Sequence, residues 1–260
     1  MKRFIEDESG VSTIIGFMFI LASIVLYTSI AYPAMIKKDI KNAESEAIDN
    51  IESKMLIFSD DIQSNRTGQV SFQLTEAQKY YSTSSAAMVF SPNDNVFSIT
   101  ITTPTRGSLL ITPGTLTIKP KNIFAEERTI AIQAGVVIDQ QGKNSWSNAA
   151  SFFSISGRNV SVQIPVIIGD HFSVAGGVKT LKYNYDSTIH GAFQDTYTGA
   201  TIEIDTPYPL VFETIFKNDM KRAGFTSPAD YSLTNTTSSV TLNLYNLEAI
   251  RIDIVYWTLK

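Results

Sequence analysis

The chain has 260 residues, 43% of them hydrophobic, with a formal net charge of −4. That is enough apolar material for one sizeable core, or for one domain plus a separate helix. The lack of cysteine rules out disulfides and thiol chemistry, and no Lys/Arg cluster exceeds a few residues, so nucleic acid is not an expected partner.

Lys2 and Arg3 open the chain, and no charged residue occurs between Glu8 and Lys37. Residues 11–32 read VSTIIGFMFILASIVLYTSIAY. About 22 helical residues at about 1.5 Å each cover about 33 Å, against a hydrocarbon core of about 30 Å. A helix is required there because lipid offers the backbone no hydrogen-bond partners. Tyr27 and Tyr32 lie toward one end, Pro33 follows, and Lys37 and Lys38 mark the return to water. Ile14, Ile15, Gly16, Phe17, Leu21 and Leu26 are the expected anchor residues. Gly16 permits close helix contact, but no small-xxx-small pair accompanies it. A secretory signal has an apolar stretch of about 7 to 15 residues with a cleavage site after it, and this stretch is longer. A plain uncleaved anchor is the other reading from the residues. Its orientation is ambiguous, because Lys2 and Arg3 precede the span and Lys37, Lys38 and Lys41 follow it.

The run Asp7-Glu8-Ser9-Gly10-Val11-Ser12-Thr13-Ile14-Ile15-Gly16, leading directly into the apolar stretch, resembles archaeal type IV pilin-like proteins. In that family a short polar leader precedes a small residue, then Val-Ser, a variable residue, an aliphatic pair and Gly. The resemblance covers about the first 35 residues and implies a leader, 1–10, cut between Gly10 and Val11 ahead of the apolar stretch. It also implies membrane lipid, other pilin-like subunits and assembly machinery including a prepilin peptidase as partners. Residues 14–17, 21 and 26 would then serve assembly as well as anchoring.

Beyond Pro33, which is placed to kink the join, Ile36, Ile40, Ala43, Ala47, Ile51, Met55, Phe58 and Ile62 recur at steps of three or four, with polar residues filling most other positions. That is the pattern of an amphipathic helix, so an anchor-and-stalk unit is expected over 11–62. The stripe packs on the domain that follows, on neighbouring subunits as in pilin-type filaments, or on both in succession.

From about Gly68 the period falls to two. Strands are expected at 69–74, 86–90, 96–103, 108–112, 115–119, 129–133, 136–138, 152–156, 160–168, 178–183, 201–204, 240–245 and 249–257. They are rich in Val, Ile, Thr, Tyr and Phe and are separated by turn formers such as Pro92-Asn93-Asp94 and Gly176-Gly177. One helix is expected at 210–222, with Pro207 and Pro209 at its start and Gly224 past its end. The fold class is therefore a long N-terminal helix followed by a mainly antiparallel, sandwich-like β domain over 66–260 with one short helix. The finish at Glu248-Ala249-Ile250-Arg251-Ile252-Asp253 and onward resembles the C-terminal part of archaeal pilin-like proteins more loosely, and its strand is expected to complete the sheet.

No catalytic constellation is legible. His171 and His190 are the only histidines and lie apart, no cysteine is available for a metal, and Asp60-Asp61 lacks the spacing of a calcium loop and reads as a solvated helix end. There is no Gly-x-Ser-x-Gly elbow, Walker loop or dinucleotide fingerprint. A non-enzymatic protein without metal or cofactor is expected. Three sequons occur, at Asn65, Asn159 and Asn235; Asn235, read as a loop residue, is the best glycosylation candidate and Asn159, beside a strand, the least. The expected function is that of a pilin-like structural subunit whose β body lies outside the cell. The alternative is a monomeric membrane-anchored binding module that does not polymerise.

Overall fold

The computed structural model describes residues 2–74, 85–92, 96–147 and 153–260, and within these the side chains of residues 2–12, 197 and 198 lie outside the description. Asn93, Asp94 and Phe152, which figure in the turn and strand expected above, also lie outside the described residues.

Helix α1 (Lys2–Gln63) runs unbroken through Pro33. The apolar stripe becomes a packing face from Ile40 onward: Ile40, Ile48, Ile51, Met55, Phe58 and Ile62 are buried, while Ile36, Ala43 and Ala47 are half-buried. Each fully buried aliphatic or aromatic side chain on this face contributes roughly 1.5–3 kcal/mol relative to exposure. Two polar residues share the face, Glu44 and Ser59.

The β body follows. Its first strands are β1 (Gly68–Gln73), β2 (Ser85–Ser91), β3 (Ser98–Thr103), β4 (Gly107–Ile111) and β5 (Thr115–Lys121). Next come β6 (Arg128–Gln133), β7 (Val136–Gln141), β8 (Asn144–Ser147), β9 (Phe153–Ser156), β10 (Asn159–Ile168) and β11 (Phe172–Ala175). The chain closes with β12 (Val178–Asp205), helix α2 (Pro209–Arg222), β13 (Tyr231–Asn235) and β14 (Ser239–Leu259).

One sheet runs β4-β3-β12-β14-β10-β9, with β1 also on β12 and β13 also on β14; the second runs β11-β2-β5-β6-β7-β8. Pairing is antiparallel throughout except between β10 and β14, which run parallel from Asn159↔Ala249 to Ile168↔Thr258. The two long strands form the spine of the first sheet. Along its free edge β12 takes β1 at 178–183 and then β3 at 201–205, while β14 takes β13 at 240–244 and then β10 at 249–258. The last strand thus lies in the middle of its sheet.

Two hydrophobic cores result. One lies between the first sheet, α2 and β6–β7, and includes Phe97, Ile164, Phe212, Phe216, Leu242 and Ile252. The other joins the stripe of α1 to the second sheet and to the ends of β12 and β14, through Met55, Phe58, Phe72, Ile118, Tyr183 and Trp257. β14 passes between them. Its buried positions from Val240 to Ile254 lie in the first core, and Val255, Trp257 and Leu259 lie in the second, so the inward face switches at the Ile254–Val255 step. α2 starts with Pro209 at its first turn, ends with Lys221 and Arg222, and buries Val211, Ile215 and Met220 together with Phe212 and Phe216.

The strands differ from expectation in the long pair and at the edges. Segments 178–183 and 201–204 belong to one strand, β12, whose middle is mostly solvent-exposed and carries register shifts at Tyr185/Ser187, Ile189/Phe193 and Thr198/Ala200. Between Asn184 and Thr196 only Phe193 is buried, so the sequence shows no alternation; the backbone ladder to β14 holds this stretch. Segments 240–245 and 249–257 are likewise one strand, continued through Asn246 at φ 53°. β8, β11 and β13 are short and carry little buried surface, which hides them from a periodicity reading.

Candidate membrane anchor and its mounting

The apolar part of α1 stands clear of the body. From Thr13 to Met35 nearly every residue is exposed, and none of its most apolar window is buried. The expected anchor residues illustrate this: Ile14 and Phe17 are 62% exposed, Leu26 65%, Ile15 and Leu21 are close to half, and a side chain added at Gly16 would meet nothing within 4 Å. The few polar side chains on this segment are satisfied within the helix. Ser23 donates to the Phe19 carbonyl at 2.8 Å, Thr28 to Ile24 at 2.9 Å and Ser29 to Val25 at 2.6 Å. Such back-bonding lets hydroxyls sit in an apolar medium without lost hydrogen bonds. Pro33 leaves the carbonyl of Ser29 without its usual helical donor, at the point where the apolar run gives way to lysines. By length and composition α1 can cross a membrane. Gly10 and Val11 lie within its backbone.

The second half of the helix is mounted on the body by polar contacts as well as by the apolar stripe. Glu44, only 1% exposed, turns its carboxylate into the loop between β5 and β6. There it accepts the backbone N–H groups of Ile123 at 2.7 Å, Phe124 at 2.9 Å and Ala125 at 2.7 Å. Charge-assisted bonds of this kind are about twice as strong as neutral ones. Between one and two turns further along, Arg128 at the start of β6 reaches Asp49 at 3.1 Å and Glu52 at 2.8 Å on the helix, and it also pairs with buried Asp139 on β7. The hydrogen bond that the Arg128 guanidinium donates to Asp139 is the main reason it holds its proton even more firmly than an ordinary arginine, despite the opposing effect of burial. Trp146 of β8 packs its ring 5.9 Å from that guanidinium.

At the far end of the helix, Ser59 and Gln63 both donate to the carbonyl of Gly135 in the β6–β7 turn. That two-residue turn has Ala134 at φ 47° and Gly135 at φ 75°, the twist that tight hairpins require. Asp61 accepts from the hydroxyl of Tyr183 and pairs with Arg66 at 3.0 Å. Burial first, and the Asp61 bond second, push the Tyr183 hydroxyl well above the usual tyrosine range. Its ring packs 4.7 Å from that of Phe58 and 6.3 Å from that of Trp257. Gly68 lies against this ring, and a Cβ there would fall 2.7 Å from the Tyr183 hydroxyl. Asp60-Asp61 is therefore not a plain solvated pair: Asp60 binds exposed Arg66, while Asp61 is part of the joint.

Comparison with protein-family models, with curated proteins and with solved structures gives no match.

The remaining expected sites lie apart from this mounting. Asn65 is exposed just past α1 at φ 53°. Asn159 is exposed at the start of β10 and donates to Glu248 at 2.9 Å. Asn235 is the last residue of β13 rather than a loop residue, and its amide donates to Glu213. Of the three side-chain amides, those of Asn159 and Asn235 are thus engaged. His190 lies 3.4 Å from Asp253 in the bulge of β12. Burial pushes the Asp253 carboxyl up, but the N–H of Gly191, Arg251 and His190 outweigh it and hold the carboxyl below its ordinary range. Among the described residues, no three His, Asp or Glu side chains are placed to hold a metal ion. Glu44 and Arg128 were not singled out by sequence. Glu44 left a usable signal, since it occupies a position in phase with Ile40, Ile48 and Ile51, where a charge is out of place unless paired.

Proposed function

We propose that the chain is a pilin-like structural subunit of an archaeal type IV pilus-like surface assembly. It is inserted through α1, with the β body outside the cell and no enzymatic role. The observation that carries this reading is the division of one continuous helix into a bare apolar half and a half cemented into the body. A subunit built this way transmits load from membrane or filament axis to its outer domain through a single rigid element. The polar leader with Gly10-Val11 ahead of the apolar run supports processing before the helix, which would leave the anchor intact.

Two measurements test the proposal. Gly10→Leu should block leader removal in the native host, seen as slower gel mobility, and shear fractions from wild-type cells should contain filaments that carry this chain. A monodisperse detergent-solubilised monomer and no filaments would instead favour a membrane-anchored binding module.

A further inference from the structure

Isolated exposed apolar side chains are ordinary on a protein surface. Ile123 and Phe124 are different: they are adjacent, 54% and 38% exposed, and sit on the loop that Glu44 pins to the helix at the neck of the molecule. Pinning matters, because three backbone donors held by one buried carboxylate fix where the two side chains stand. Phe124 is placed toward the apolar half of α1, with its ring centre 5.6 Å from the Lys37 Nζ. Lys37 lies four residues beyond Pro33, a rise of about 6 Å along the helix. The polar layer on each side of a bilayer is about 5–8 Å deep. If hydrocarbon ends at Tyr32–Pro33, the Phe124 ring is at the depth of the lipid headgroups, where aromatic side chains partition. Besides Lys37, exposed Lys38 and Lys41 follow on the helix beside half-buried Asp39, and exposed Lys119 and Lys121 lie on the strand leading into the loop, so the sequence near the loop is net positive. The two acidic residues of the loop, Glu126 and Glu127, come at its end, next to Arg128, which meets the helix farther along, at Asp49 and Glu52.

We propose that loop 122–127 is a second membrane contact. Ile123 and Phe124 enter the headgroup–acyl boundary of the same bilayer that α1 spans, while the neighbouring lysines meet lipid phosphates. One helix alone leaves a body free to spin and tilt about its anchor. A rigid loop dipping into the interface beside it sets the height and rotation of the β body on the membrane. This inference rests on the membrane reading of α1.

The test uses the full chain reconstituted in vesicles of phosphatidylcholine and phosphatidylglycerol, with the phosphatidylcholine brominated near the top of its acyl chains as a contact quencher. Phe124→Trp reports on the loop and Phe19→Trp on the span, each read against the wild-type signal of Trp146 and Trp257. Ile123→Trp is a second loop probe should the first disturb the fold. The expected result is a blue-shifted loop tryptophan that loses emission in brominated vesicles, alongside a quenched Phe19→Trp. A quenched Phe19→Trp with an unquenched loop probe overturns the second contact and leaves the anchor standing. A blue-shifted but unquenched loop probe also overturns it, and assigns the patch to another copy of the chain. An unquenched Phe19→Trp overturns the membrane reading and this inference together.

Discussion

Glu44, on the buried face of α1, accepts the backbone N–H of Phe124 at 2.9 Å, and shares the same carboxylate with the N–H groups on either side. A helix that leaves the body through an apolar stripe alone could slide or rotate by one turn with modest loss. A buried carboxylate seated on three directed donors cannot. The register of stalk on body is set here and at Arg128.

Glu44→Ala should therefore cost more than the loss of an exposed helical glutamate. It leaves three directed donors without their shared acceptor, a loss of about 2 kcal/mol or more. Thermal unfolding of the detergent-solubilised chain should shift down by roughly 2–4 °C per kcal/mol for a domain of this size. Limited proteolysis should newly cut within 122–127. A melting temperature within experimental scatter of wild type would show that the contact contributes nothing.

Arg128→Met should be among the most damaging single changes outside the apolar core. It strands Asp139, whose side chain is only 2% exposed, and uncompensated buried charges cost about 3–5 kcal/mol. Asp139→Asn in the same chain should recover a substantial part of that loss, which a double-mutant cycle in denaturant measures. Strict additivity of the two changes would contradict the pairing.

The joint at Tyr183 makes an alkaline prediction. Its folded-state pKa lies above the ordinary 10.0, so above about pH 10 the native state retains a proton that the unfolded chain gives up. The stability involved is fully present below about pH 10 and is lost as pH rises beyond it. Denaturant midpoints of the wild type should fall on the alkaline side, and Tyr183→Phe should flatten that fall. A parallel alkaline slope in the variant would place the effect elsewhere.

Much of this molecule was legible in its residues. The charge gap before Lys37 and the stripe from Ile40 mark both halves of α1, because burial in lipid and burial against protein leave different periodic signatures. Pro209 and Gly224 bracket α2 for equally local reasons. What stayed hidden depends on partners distant in sequence. The middle of β12 buries only Phe193, so nothing in Tyr185 or Thr188 announces a strand. The parallel pairing of β10 with β14 is a matter of tertiary order. Arg128 carries no local signal, because Asp139 and Glu52 converge on it only after β6, β7 and α1 have packed.

The central position of β14 leads to a further prediction. Removing residues 249–260 takes away the half of β14 that pairs with β10 and with β12 from Tyr183 to Thr196, along with Ile252, Val255 and Trp257 from the two cores. The truncated chain should lose cooperative unfolding altogether; an unchanged melting temperature would refute the topology described.

The most direct test of the account is the N-terminal sequence of the mature protein taken from its native membrane. A start at Val11, with the apolar helix intact behind it, is the predicted result. A start at Met1, or one beyond Pro33, would contradict the pilin-like processing on which the proposed role depends.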